Sequence, residues 1–189
     1  MKTRTLSHRA ALVSARATRK LTRIRRTIAV GHMDGYVVGI GHDFVLILLV
    51  SDLITYNGFE ALRLKDIESV EIPSPYVKFI ESALALRRLK KPRSPKVNLD
   101  STANVVRSAA ARFPLVTIHY EIADPDVCLI GTPASIGKSI LKLRSITPNA
   151  EWQEELDSVR MSDITRVSFG GSYEEALALV DAAKTTARS

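Results

Sequence analysis

Short apolar stretches broken by turn dipeptides, rather than long amphipathic periods, fill the chain from Ile24 to Ile72. Ile24 to Val30 reads as a strand, and Asp34-Gly35 as a hairpin turn, because glycine takes the positive φ that tight turns require. Tyr36 to Ile40 follows, then a second turn at Gly41-His42-Asp43. Phe44 to Val50 is aliphatic or aromatic throughout and too short for a typical helix, so it predicts a strand buried on both faces. Asn57-Gly58 is a third turn, and Phe59–Leu64 and Ser69–Ile72 complete the set. Five short strands with almost no helix between them predict a small barrel whose closure hides its edges.

Pro73 and Pro75 stop this pattern. Tyr76 to Lys91 carries Tyr76, Ile80, Ala83, Leu84 and Leu86 at helical spacing, with cations towards its C-terminal end, where the macrodipole favours them. A linker with Pro95 follows, and Asp100 or Ser101 is placed to cap a short helix to Ala111. From Phe113 the strand pattern resumes: Leu115–Glu121, Val127–Ile130, Ser139–Ile146, Val159–Met161 and Thr165–Phe169, with an acidic loop at 147–157 that contains Trp152. Ser172-Tyr-Glu-Glu175 is a capping box that opens a terminal helix. Arg63-Leu-Lys-Asp66-Ile67-Glu-Ser-Val70-Glu-Ile72 aligns with Arg160-Met-Ser-Asp163-Ile164-Thr-Arg-Val167-Ser-Phe169, which predicts an internal repeat. The expected architecture is mainly β with flanking helices: an arm at 1–22, a five-stranded barrel at 23–75, a helical basic linker at 76–112, and a second five-stranded barrel with its C-terminal helix at 113–189.

Charge changes the picture by its distribution. The net charge is +7, yet residues 1–26 hold nine Lys/Arg and no acid, and residues 87–112 hold eight Lys/Arg and one acid. The two strand-rich bodies are each mildly acidic. The basic character therefore belongs to the arm and the connector, where Arg16, Arg19, Lys20, Arg23, Arg25 and Arg26 are the candidate phosphate contacts for RNA or DNA. The arm also places Leu6, Ala10, Val13, Ala17, Leu21 and Ile24 on one stripe, so a helix docked on the first barrel and a targeting segment are the other readings of it. A lone cysteine, Cys128, forms no internal disulfide and favours a reducing, cytoplasmic compartment. Its apolar neighbours suggest a core position. The longest apolar run, Phe44–Val50, is far short of the roughly 20 residues that span a bilayer, so no membrane partner is expected.

Gly35-Tyr-Val-Val-Gly39-Ile-Gly-His-Asp43-Phe-Val-Leu-Ile-Leu-Leu resembles the first motif of Sm-like proteins, and the second half resembles a segment of uncharacterised bacterial proteins. The resemblance implies tandem Sm-like five-stranded barrels. In that family an asparagine about three residues after the turn aspartate holds a base. Leu46 stands there in this chain, and Asp66-Ile67 replaces the family's basic-glycine pair. Base recognition in single strands needs a polar edge-reader and a stacking surface, and Leu46 is neither.

Catalytic chemistry finds little foothold. Gly131-Thr-Pro-Ala-Ser-Ile-Gly137-Lys138-Ser139 has five residues between its glycines where a phosphate loop has four, and Pro133 removes a backbone amide. It reads as strand, turn, strand. His8, His32, His42 and His119 form no i,i+4 pair, so neither a metal nor any other cofactor is expected. The expectation is a non-enzymatic binding or assembly module, monomeric or homodimeric, with a protein partner or its own copy; nucleic-acid binding through the basic arm and linker is the alternative.

Overall fold

Alternation and turn chemistry produce ten strands in the computed structural model, which describes the backbone of residues 2–187 and the side chains of residues 7–186. In chain order these are α1 (Lys2–Thr18), β1 (Leu21–Arg26), β2 (Met33–Ile40), β3 (Phe44–Val50), β4 (Tyr56–Arg63), a single 3₁₀ turn (Leu64–Asp66) and β5 (Ile67–Glu71). Then come α2 (Val77–Leu86), α3 (Thr102–Ala110), β6 (Val116–His119), β7 (Cys128–Ile136), β8 (Ile140–Ile146), β9 (Trp152–Arg160), β10 (Arg166–Phe169) and α4 (Ser172–Ala187). Among the described residues no helix is long and apolar enough to cross a membrane.

The expectation of two closed five-stranded barrels joined by a helical linker is overturned. The strands form one continuous antiparallel sheet in the order β5-β1-β2-β3-β4-β10-β6-β7-β8-β9. Each half runs last strand, first, second, third, fourth, so the two halves share one order. They meet because β10 inserts between β4 and β6: Phe169 pairs with Phe59 on one side and Val116 on the other, and Val167 with Ala61 and Ile118. Strand edges left unpaired would be open to other chains. Here β4 satisfies its outer edge on β10 of the other half, so neither half closes on itself. The hydrophobic pattern specifies strands and faces, but it does not specify which edge meets which.

The core follows the same continuity. Leu46, Leu48 and Phe59 of the first half pack in one cluster with Val116, Leu141 and Phe169 of the second. Phe59, Phe113 and Phe169 stack there with ring centroids 4.9–6.2 Å apart. Helices α2 (Ile80, Leu84) and α3 (Val105, Val106, Ala109) cover this face. Helix α1 covers the other face of the first half through Leu12 and Ala15. The arm is thus a docked helix, but on a different stripe from the expected one. Val13 is exposed, Leu21 and Ile24 belong to β1, and Leu6 lies outside the described side chains.

Other boundaries also move. The acidic stretch 147–157 is mostly strand β9, because both faces of this edge strand are largely in water and charge is tolerated there. Trp152 opens that strand, donates its Nε1–H to Asp181 of α4 at 2.9 Å, and stacks under Arg144. Cys128 is exposed at the open end of β7 rather than in the core.

The shared Arg-x-x-Asp signature makes the same contact in both halves. Arg63 bonds Asp66 at 2.6 Å and Arg160 bonds Asp163 at 2.7 Å, each clipping the turn that leaves the fourth strand of its half. Their surroundings differ. The Arg63–Asp66 pair is buried, and Arg63 Nη1 also donates to the Ser162 carbonyl at 2.8 Å, tying one clip to the other half's turn. Arg160 is mostly in water. Removing one partner of a buried pair leaves an uncompensated charge, so Asp66→Ala is expected to cost on the order of 3 kcal/mol, whereas Asp163→Ala leaves the unfolding midpoint almost unchanged. Urea denaturation of the two variants measures this, and equal losses would contradict it.

Candidate functional site

The six cations proposed as phosphate contacts separate into two groups. Arg23 lies under β1, where Nε and Nη2 hold both oxygens of Asp34 at 3.1 and 2.7 Å. Asp34 also accepts the Ser74 hydroxyl at 2.8 Å, so this arginine fastens the start of the connector. Arg26 is buried against Glu121 with two bonds of 2.6 Å. Arg25 is half-exposed and leans towards Glu71 at 3.8 Å. Strand β1 is buried on both faces, with a register shift between Arg25 and Arg26, so Arg23 and Arg26 both meet internal carboxylates and are used in folding. Arg16, Arg19 and Lys20 are exposed at the C-terminal end of α1 and just beyond it, and among the described residues none has an ion-pair partner.

Arg16 does not stand alone. It lines a groove of about 720 Å³ together with Lys96 and Arg112 of the connector, over a floor of Val38, Ile40 and Leu46. The connector is held there by backbone bonds: Asp43 and Phe44 N–H donate to the Leu99 carbonyl at 3.2 and 3.0 Å, and the His42 N–H donates to Asp100 Oδ1 at 2.9 Å. The approach is close enough that a Cβ on Gly41 would strike the Leu99 backbone. Leu99 itself is buried and packs with Leu46 in the core. The connector therefore occupies the ground beside Leu46 where the resemblance would put a base. Asp100 is the acid on the groove wall, against three cations. Among the described residues no aromatic ring lines it. Lys96 and Arg112 were hidden in a generally basic stretch; the signal was the run of positive charge, and only the fold shows which members of it meet Arg16.

The densest polar cluster lies elsewhere, in the seam between the halves. Glu121 accepts Arg26 and the Thr165 hydroxyl at 2.6 Å and Arg166 at 3.2 Å. Arg166 also donates to His119 Nδ1 at 3.0 Å, His119 Nε2 meets Ser168 Oγ at 3.0 Å, and Ser168 meets Glu60 at 2.6 Å. A serine beside a histidine invites a nucleophile reading, but the donors run the wrong way. Arginine can only donate, so His119 Nδ1 accepts, Nε2 carries the proton and gives it to Ser168, and Ser168 gives its own to Glu60. His119 has no lone pair free to take the Ser168 proton. The chain of bonds positions β6, β10 and β4 against one another.

Burial and the Arg166 guanidinium press His119 down to about 3, against an opposing pull from Glu121. Burial alone would raise Glu121, but the bonds from Arg26 and Thr165 and the charge of Arg166 outweigh it and hold the carboxyl at about 2. Burial pushes Glu60 up, against the charge of Arg166 and the Ser168 bond. Cys128 is raised by partial burial, so its thiol stays protonated. The Gly131–Ser139 stretch is the β7–β8 hairpin, not a loop opening a helix. Among the described residues no cluster of three His, Cys, Asp or Glu could hold a metal ion. In comparisons with protein-family models, curated proteins and solved structures, the chain matches none.

The seam carries a pH signature. Between the ordinary histidine value of 6.5 and about 3, the unfolded chain binds a proton that folded His119 refuses, so its contribution is lost as pH falls through that window. Glu121, depressed in the fold, contributes in the same sense but lower, its stabilisation being lost as pH falls towards about 2. Glu60, raised in the fold, works in the opposite sense, losing its contribution as pH rises. Comparing His119→Gln with the parent isolates the first effect. The stability gap between them is expected to be wider at about pH 7 than at about pH 5, read from urea midpoints; an equal gap at both would show that His119 is not held neutral.

Proposed function

We propose that the chain is a non-enzymatic binding module that holds the phosphate backbone of RNA or DNA in the groove between α1 and the connector, in a reducing cytoplasmic compartment. The observation that carries this reading is the convergence of Arg16 from α1 with Lys96 and Arg112 from the two ends of the α3 region of the connector on one groove. Arg19 and Lys20, exposed beyond the end of α1, and Lys90, Lys91 and Arg93, exposed in the connector, extend the positive field outside it. An acidic protein body with cations gathered on its connections concentrates a polyanion at the connections. The absence of an aromatic platform and the filling of the Leu46 region by Leu99 favour contacts to phosphate over contacts to bases. Binding is then independent of sequence and steep in salt. Cys128, free and exposed, suits a reducing compartment.

Fluorescence anisotropy with a single-stranded RNA of mixed sequence, titrated across a salt series, tests the groove. Arg16→Ala, Lys96→Ala and Arg112→Ala are each expected to weaken binding and to reduce the slope of log affinity against log salt by about 1. Lys138→Ala, an exposed cation on the β7–β8 hairpin, leaves both unchanged. If the three groove variants bound as the parent does, the reading would fall. Arg23→Ala is expected to lower stability first, because it releases Asp34 and Ser74.

A further inference from the structure

Helix α2 has two apolar faces and uses only one. Ile80 and Leu84 point into the core, 5% and 4% exposed. On the adjoining face Tyr76, Phe79 and Leu86 are 62%, 66% and 85% exposed, with Ala83 half-buried between them. These four positions are spaced three, four and three residues apart, the seam spacing by which one helix meets another. Leu53, 77% exposed, stands alongside on the β3–β4 turn, which Arg87 Nη1 holds against the helix by bonding the Leu53 and Ile54 carbonyls at 2.6 and 3.1 Å. Beside Tyr76 and Phe79 opens a groove of about 540 Å³ floored by Met33, Leu49 and Ile54. Single exposed apolar side chains are ordinary, whereas a contiguous stripe beside a groove marks a contact surface.

We propose that α2 is a dimerisation helix, paired antiparallel with α2 of a second copy across a two-fold axis near Glu81 and Ser82. The stripe is self-complementary under that operation: Tyr76 faces the partner's Leu86, and Phe79 faces the partner's Ala83, so the largest side chain on the stripe meets the smallest. Charge agrees. Asp52, exposed on the turn that Arg87 draws to the helix, and Lys78, exposed near the helix start, are brought towards each other's copies by antiparallel pairing. Antiparallel pairing also sets opposite helix ends side by side. Area agrees as well. An enclosed aromatic side chain buries roughly 150–250 Å² and a leucine somewhat less, so Tyr76, Phe79, Leu86 and Leu53 at these exposures offer on the order of 500 Å² per copy, or about 1,000 Å² for the pair, the size a specific interface has to reach. This surface is separate from the basic groove and stands or falls independently of nucleic-acid binding.

Sedimentation equilibrium of the full chain across the micromolar range is expected to show a monomer–dimer equilibrium. Phe79→Glu should weaken it by about 30-fold or more, as loss of a central aromatic contact does, with a melt equal to the parent's at dilutions where both are monomeric, because in the monomer the side chain is in water. Leu86→Glu provides the same reading should Phe79→Glu fold poorly. In a Cys128→Ser background, Ser82→Cys should form a disulfide-linked dimer on mild oxidation, while Leu179→Cys, on the exposed face of α4, should not. A parent chain that stays monomeric throughout, a hexamer or larger ring, Phe79→Glu and Leu86→Glu variants that dimerise like the parent, or equal cross-linking at positions 82 and 179 would each overturn the proposal.

Discussion

Arg26 in the first half and Glu121 in the second approach to 2.6 Å in the interior, 95 residues apart in the chain. Neither charge can be left in that place without the other, because a buried ion that loses its partner costs several kcal/mol. The pair therefore fixes how the halves are joined. Glu121 sits just past the end of β6, and Thr165 and Arg166 at the start of β10 join Arg26 on its carboxylate, so the register of β10 between its neighbours is set by electrostatics as well as by the ladder. His119, Ser168 and Glu60 extend the network across to β4.

That network also decides which cations are available to a ligand. Arg23, Arg26, Arg63 and Arg166 are held in internal bonds, and a count of positive residues overstates the binding surface by including them. The exposed positive charge is densest on the end of α1 and along the connector, with single cations such as Lys65, Lys138 and Lys142 scattered over the rest of the surface. The connector has a double part. Leu99 completes the core over Leu46, and its neighbours Lys96 and Arg112 form the wall of the groove.

How far the chain itself discloses this differs by level. Strands β2, β3, β5, β8 and β10 were legible within a few residues from their aliphatic runs, but two turn dipeptides misled: Asp34-Gly35 lies inside β2 and Asn57-Gly58 inside β4, and the turn between β1 and β2 falls at 27–32 instead. The start of β1 was missed because α1 and β1 share a continuous scatter of Arg, Leu and Ile across Thr18–Ile24, and only a break at Arg19 (φ 52°) separates them. Most of strand β9 was missed, only its end being expected as strand at Val159–Met161, because an edge strand with both faces largely in water carries Glu and Asp as readily as a loop does. The pairing of β4 with β10 lay beyond reach: each half is self-consistent as a closed unit, and the choice between closing and joining depends on contacts a hundred residues apart. Of the site residues, Arg16 was legible as an exposed helical cation. Arg23 and Arg26 were misread because composition does not show that β1 is buried on both faces, with a register shift between Arg25 and Arg26, so that both side chains meet internal carboxylates.

Strand β10 is the last strand in the chain and stands in the middle of the sheet. As the polypeptide leaves a ribosome, β1 to β9 can form two incomplete sheets, but β4 and β6 each keep an open edge until residues 166–169 arrive. Those four residues are a keystone inserted last between two finished walls, and pairing over such separations makes assembly slow. Until then two edges, with Phe59, Ala61 and Leu62 on β4 and Val116 and Ile118 on β6, are free to pair with neighbouring nascent chains. The β10 segment thus governs the lifetime of the most aggregation-prone species on the route to the native fold, quite apart from anything it holds together afterwards.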